Sequence, residues 1–314
     1  MVRALTVIRP GMLTTIQDLG RWGFQTNGVP VAGPMDEYSH ILANGLVGND
    51  PSAGALEITL IGPELRTNAD LVCAVAGARF ELTTGERRLP MHHTFVLHAG
   101  EHLRFGARTA GARATLALRG GIAVKPVFGS RATSLVSRMG PFDGRPLRAG
   151  DVLPIGDVAT TSTPGVGAIG AAAPLPMPAG GAQLRVMRGP HERLFTPAAY
   201  DTLFTARFVI TPNSNRMGYR LEGRPLAHVD RADILSDATA IGSIQVPASG
   251  QPILLMADRQ TTGGYPKIAT VIGADLPLAG QLAPGDWIEF RPCTREGAAD
   301  ARRSRFRFLE GRRP

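Results

Sequence analysis

Lysine is almost missing from this sequence. Of its 34 basic residues only Lys125 and Lys267 are lysines, and the rest are arginines. Cysteine is nearly absent too: Cys73 and Cys293 lie far apart, in no CxxC or zinc-ligand spacing, which argues against a disulfide framework or a zinc site. Aromatic residues make up 6% of the chain, and no apolar run reaches the roughly 18 residues a membrane-spanning helix needs. The opening "MVRALTVIRPG" has the alternation of a β-strand rather than the apolar core of a leader, so a reducing cytoplasm is the expected location. There is no Walker A loop, no GxGxxG opening a helix and no GxSxG elbow. In "LRGGIAVKPVFGSRAT", Lys125 does not stand where a phosphate-loop lysine would.

What the chain has in quantity is glycine and proline, 38 and 25 of 314 residues, about a fifth of the whole. That is a turn-rich folded composition, below the roughly 25–30% of low-complexity sequence. Short apolar runs broken by Gly, Pro or Asn every eight to twelve residues predict a mainly β protein with a few short helices. One helix is expected over 36–49, capped by Asp36. A second, over 196–206, has Thr196 as cap and Pro197 in its first turn. The net charge of +8 is half accounted for by residues 294–314, where seven arginines face Glu296, Asp300 and Glu310. With no basic stripe elsewhere, this reads as a solvated, partly helical tail and not as a nucleic-acid surface.

Residues 157–182 are small, Pro/Gly-rich and nearly uncharged, as a connector would be. "ALTVIRPG" (4–11) resembles "QLRVMRGP" (183–190), and "LHAGEHLRF" (97–105) resembles "LAPGDWIEF" (282–290), which suggests two related halves. The expected division is a domain over 1–160, a linker over 161–182, a domain over 183–293 and the tail 294–314.

Three stretches collect polar groups around glycines. The first supplies Thr14, Thr15, Gln17 and Arg21. The second supplies Asn215, Arg216 and Arg220. The third, "DRQTTGGYPKI", supplies Asp258, Gln260, Thr261, Thr262, Gly263, Gly264 and Tyr265, with Gln245 just upstream. Glycines let backbone N–H groups approach a ligand, and arginine forks suit anions. The expectation is one cleft in which Arg216 binds a substrate anion and Asp258 orients it or moves a proton, the others binding substrate. The same residues also suit turns with local side-chain caps, and composition leaves both readings open. His92, His93, His98 and His102 are dense, but strand alternation sends the first two to opposite faces, so no metal is expected there.

Seven segments resemble, in order, the KipA/PxpC family: "GMLTTIQDLGRWGFQTNGVPVAGPMD", "ANGLVGNDPSAGALEITLIGP", "LALRGGIAVKPVFGSRAT", "GRPLRAGD", "NSNRMGYRLEG", "GSIQVPASGQPILLMADRQTTGGYPKIATVIGADL" and "LAPGDWIEF". This is the group of 5-oxoprolinase C subunits, also labelled biotin-dependent carboxyltransferase or allophanate hydrolase subunit 2. The resemblance implies two cyclophilin-like β-barrel domains. It implies a KipI/PxpB-like partner and a PxpA (LamB/YcsF-like) partner, with which 5-oxo-L-proline is cleaved to L-glutamate using ATP. Two other roles come with it: a regulatory module that sequesters a KipI-like kinase inhibitor, and the carboxyltransferase part of a urea carboxylase. Neither lysine sits in a Met-Lys-Met hairpin, so no covalent biotin is expected, and the Ser-Ser-Lys set of an amidase is missing. Asp237 and Ala238 replace a Glu-Gly pair of many members, and no role attaches to Lys267.

Overall fold

The computed structural model describes residues 2–157 and 174–307. Most of the expected linker, and the tail beyond residue 307, fall outside the described residues. The chain divides into two compact units, Met1–Arg21 with Ala32–Met177 and Trp22–Val31 with Pro178–Pro314. The second therefore includes a ten-residue excursion from early in the chain.

The first unit is a curled sheet of nine strands: β1 (Ala4–Arg9), β2 (Leu13–Gln17), β3 (Ala55–Thr59), β4 (Glu64–Thr67), β5 (Leu71–Thr84), β6 (Arg87–Leu89), β7 (Thr94–Leu97), β8 (His102–Leu118) and β9 (Val152–Pro154). The main path runs β2-β3-β8-β4-β1-β9, and β5 pairs with β8, β6 and β7. Strands β5 and β8 are longer than the short segments expected, at 14 and 17 residues. Gly77 lies inside β5 with φ of 98° where the register shifts, so a glycine that reads as a break is a bulge within one strand. Leu5, Leu56, Ile58, Leu65, Val75, Leu103 and Leu116 fill the core.

Helix Glu37–Leu46 packs on this unit. Its cap is the expected one, Asp36 Oδ1 accepting from the Ser39 N–H at 2.9 Å. The helix buries His40, which accepts a hydrogen bond at Nε2 from Asn44 Nδ2 at 3.2 Å and is therefore neutral. Burial pushes its pKa down to about 4, against the opposing pull of Asp18. The clustered histidines do not gather: His102 meets Glu64 and His98 meets Asp70, while His93 meets the Met91 carbonyl. Among the described residues no group of three His, Cys, Asp or Glu side chains is placed to hold a metal.

The second unit is a closed barrel of β10 (Gly181–Arg188), β11 (Arg207–Ile210), β12 (Gly218–Glu222), β14 (Ser243–Gln245), β15 (Ile253–Leu255), β17 (Lys267–Val271) and β18 (Trp287–Pro292), in the order β10-β17-β14-β15-β12-β11-β18. Strands β10 and β18 close it in parallel. A two-stranded piece, β13 (Asp237–Ala238) with β16 (Thr262–Gly263), lies outside that ring. The expected helix cap at Thr196 forms, its Oγ1 accepting from Ala199 N at 3.2 Å, and the helix runs Pro197–Thr205. The two similar strands β1 and β10 have unlike pairings, since β1 takes β9 antiparallel. The tail is helical over Arg295–Phe306 and buries Phe306, so it is docked rather than wholly solvated.

His40 gives the first unit an acid limit. The unfolded chain takes up a proton at this residue below about pH 6.5, and the folded chain only near 4. Stability should therefore fall by roughly 3 kcal/mol as pH drops through that window. Glu64, held near 2 by His102, Arg9 and Arg104, adds its own loss only below about 4.5. Denaturant unfolding from pH 7 to 5 should slope downward in the wild type and flatten in His40→Gln. An unchanged slope in the variant would exclude His40 as its source.

Candidate functional site

Strands β12, β14 and β15 of the barrel and the loops beside them enclose a pocket of about 180 Å³. Its walls carry Asn213, Asn215, Arg220, Gln245, Gln260 and Tyr265, over an apolar base of Met217, Ile253 and Leu255. The volume is below the roughly 300–1,000 Å³ of drug-sized sites, which suits a small metabolite. Arg220 is exposed, and its guanidinium has no hydrogen-bond or ion-pair partner among the described residues. A planar cation with free donors, beside several amides, is equipped to hold a carboxylate bidentately.

Two residues expected to act on substrate bond to each other. Arg216 Nε donates to Asp258 Oδ2 at 3.1 Å, and its Nη2 donates to Oδ1 at 3.0 Å. The side chains are 4% and 0% exposed. The arginine's Nε and Nη2 donors are engaged by a buried carboxylate, in the bidentate geometry such pairs favour. Arg216 and Asp258 thus meet as a mutually bonded, buried pair behind the pocket wall. Backbone bonds reinforce it, Asp258 N to Arg216 O and Met256 N to Met217 O, both at 2.8 Å. Together they tie the loop bearing Asn215 to the segment bearing Gln260.

The "QTTGG" run packs closely over this wall. Gln260 Nε2 donates to Gln245 Oε1 at 3.2 Å, and Gln245 Nε2 reaches the Tyr265 carbonyl at 3.4 Å. A Cβ on Gly263 would lie 2.6 Å from Gln245 Nε2, so any larger residue here would have to displace that amide. Thr261 and Thr262 serve the backbone pairing with residues 237–239, Thr239 N donating to Thr261 O at 3.0 Å. Gly264 accepts from Ile234 N at 2.9 Å.

The unit-one candidates sit within their own fold. Thr14, Thr15, Gln17 and Arg21 are all buried. Thr14 Oγ1 donates to the Pro10 carbonyl, Gln17 Nε2 to Thr15 Oγ1 and the Thr133 carbonyl, and Arg21 to the Ala132 carbonyl. In this unit Thr14, Gln17 and Arg21 thus bond to backbone carbonyls of neighbouring loops, and Thr15 accepts from Gln17.

Three residues escaped the sequence reading. Lys267 is 3% exposed and donates through Nζ to Asp237 Oδ2 at 2.6 Å and to the Ala238 carbonyl at 2.5 Å. His191 Nε2 lies 3.8 Å from Asp237 Oδ2. Arg259 is 7% exposed, has no carboxylate partner among the described residues, and touches the Thr239 carbonyl at 3.4 Å. Burial lowers its pKa to about 10. The signal for Lys267 was present: it is one of two lysines in an arginine-rich chain.

Residues 27–292 match the family model "Carboxyltransferase domain, subdomain A and B". The chain belongs to this carboxyltransferase family. It is 38% identical over 306 residues to the C subunit of 5-oxoprolinase from Escherichia coli, covering 98% of this chain and 96% of that protein. It is 34% identical over 297 residues to the C subunit of 5-oxoprolinase from Haemophilus influenzae, covering 94% and 93%. Among solved structures it resembles the K. lactis urea amidolyase, with a TM-score of 0.92 and 31% identity. That likeness covers 98% of this chain but only 20% of the amidolyase chain, so the chain matches one fifth of that larger protein.

Breaking the buried pair from either side leaves an uncompensated charge, which costs about 3–5 kcal/mol. Asp258→Asn and Arg216→Ala should both melt markedly lower than the wild type. Near-wild-type melting with lost activity would support a direct role in chemistry.

Proposed function

We propose that this chain is the C subunit of an ATP-dependent 5-oxoprolinase, working with KipI/PxpB-like and PxpA (LamB/YcsF-like) subunits to hydrolyse 5-oxo-L-proline to L-glutamate. The observation that carries this reading is the near end-to-end similarity to two relatives of that name. The barrel pocket is consistent with it in size and chemistry. Arg220 is suited to hold the substrate carboxylate, and the Asn215, Gln245 and Gln260 amides are suited to pair with a lactam N–H and C=O. A lactam resists hydrolysis because its nitrogen shares its lone pair with the carbonyl. ATP supplies the phosphoryl group that converts the lactam oxygen into a leaving group. ADP leaves at that step. One water then adds at that carbon and the ring C–N bond breaks, giving a free amine and an acyl phosphate. A second water displaces phosphate to leave the carboxylate.

Likeness to the urea amidolyase fold favours one second reading, a carboxyltransferase component acting on a urea-type amide with biotin held on another protein. The end-to-end match to the shorter relatives ranks it below the first. Two free cysteines suit assembly in the cytoplasm. Among the described residues no helix is long and apolar enough to cross a membrane.

Glutamate release from 5-oxo-L-proline and ATP should require all three subunits, with this chain silent alone. Turnover by the chain alone would overturn that division of labour. Amide carboxylation with a biotinylated carrier, and no glutamate from the three subunits, would favour the second reading. Within the active complex, Arg220→Ala should lose charge-assisted hydrogen bonds of about 1.5–3 kcal/mol, roughly ten- to a hundredfold in kcat/KM. Its melting temperature should stay unchanged, because the side chain is exposed. Undiminished kcat/KM would remove Arg220 from the site.

A further inference from the structure

Residues 237–239 form a strap over the TTGG run, and two buried cations brace its consecutive carbonyls. Lys267 holds Ala238 and Arg259 holds Thr239. Charged side chains are almost never buried without partners, because losing hydration is costly. Between them Lys267 and Arg259 have one carboxylate, that of Asp237, and it is half exposed. His191, the remaining titratable group at this carboxylate, has its pKa lowered by burial and by Lys267, against the pull of Asp237. The strap's ladder to β16 is two residues long, Thr239 and Ile234 tie its flanks to the Gln260, Thr261 and Gly264 carbonyls, and residues 235–238 between them are all exposed. Lys267 also pairs with Gln245 in the β14–β17 ladder, beside the register shift between Ile244 and Gln245, and Gln245 lines the Arg220 pocket. Cross-strand neighbours share a face of the sheet.

We propose that Lys267, backed by the charge of Arg259, is the cation of a carboxylate-binding subsite next to the Arg220 pocket, and that the chain's own Asp237 fills it when no ligand is present. A ligand carboxylate takes the place of Asp237 Oδ2 on the ammonium, and the strap lifts with its freed aspartate into solvent. No bond is made or broken, and the exchange of one carboxylate for another keeps the buried lysine paired throughout. The subsite deepens the reading of this barrel as a binder of small carboxylates and rests on it.

The test uses the full chain. Asp237→Asn should melt lower than the wild type in sodium chloride and recover in sodium acetate or sodium 5-oxo-L-proline at equal ionic strength. Calorimetric affinity for 5-oxo-L-proline should rise about two- to fivefold, the factor a half-exposed ion pair is worth. Asp237→Asn combined with Lys267→Gln should lose both responses. Equal melting of Asp237→Asn in chloride and acetate, or responses that survive in the double variant, would overturn the subsite. If the variants do not fold, the wild type still decides: acetate should shift the His191 ring resonances, since Asp237 leaves its side, and unmoved resonances would exclude displacement. Acetate responses without glutamate release by the complex would sink the 5-oxoprolinase reading and leave the subsite standing. Glutamate release with no carboxylate response at Asp237 would do the reverse.

Discussion

The candidate site depends on one buried ion pair. Arg216 and Asp258 come from segments some forty residues apart in the chain, one before β12 and the other after β15. Their paired hydrogen bonds hold those segments in a single register. Asn215 and Met217 on one side of the pocket, and Leu255 and Gln260 on the other, lie within a few residues of that pair. A buried ion pair is weak as a source of net stability, since desolvation consumes most of the attraction. Its value here is geometric. Two parallel hydrogen bonds from a rigid fork fix distance and angle together, which an apolar contact of the same volume would not do.

That division between buried and exposed charge marks the limit of what the sequence shows: which residues lie near one another, but not which side chain is open to the pocket. The polar clustering around 213–220 and 258–265 was visible without a structure, and the residues do meet. Burial separates the two arginines, and it does not follow from strand alternation, which would put positions four apart on one face. Arg216 is buried because it lies in the loop before the strand, where it pairs with Asp258. Arg216 lies two residues before β12 and is buried, while Arg220, within it, is exposed. Nothing in "NSNRMGYR" states where the strand begins, so the two arginines look equivalent on paper. Thr14, Thr15 and Gln17 show the same limit. Their hydroxyls and amide read as ligand donors, yet Thr14 and Gln17 bond to carbonyls of neighbouring loops and Thr15 accepts from Gln17.

The fold was more legible than the site because its signals are local. Helix caps at Asp36 and Thr196 depend on a few consecutive residues, and both form. The mainly β class depends on short-range alternation and turn spacing. What local pattern does not carry is closure. The barrel of the second unit closes through β10 and β18, about a hundred residues apart, whereas the first unit remains a curled sheet despite the similar opening strand. Long-range pairing is set by how whole sheets bury their faces, and the likeness between 4–11 and 183–190 says nothing about partners.

Lysine at position 267 is the sharpest local choice in the chain. Where almost every other cation is arginine, this position has a compact ammonium on a flexible stem. It serves a carboxylate and a carbonyl of one short strand at once, from a fully covered barrel position. A guanidinium would bring a wider planar head and favour a bidentate, fixed partner, as Arg216 does with Asp258. A point charge with rotating donors holds its partner by attraction more than by shape, and so can exchange one carboxylate for another. The two buried cation–carboxylate contacts of this barrel thus divide by chemistry: the arginine is locked to a fully buried aspartate, and the lysine is matched to one that water already reaches.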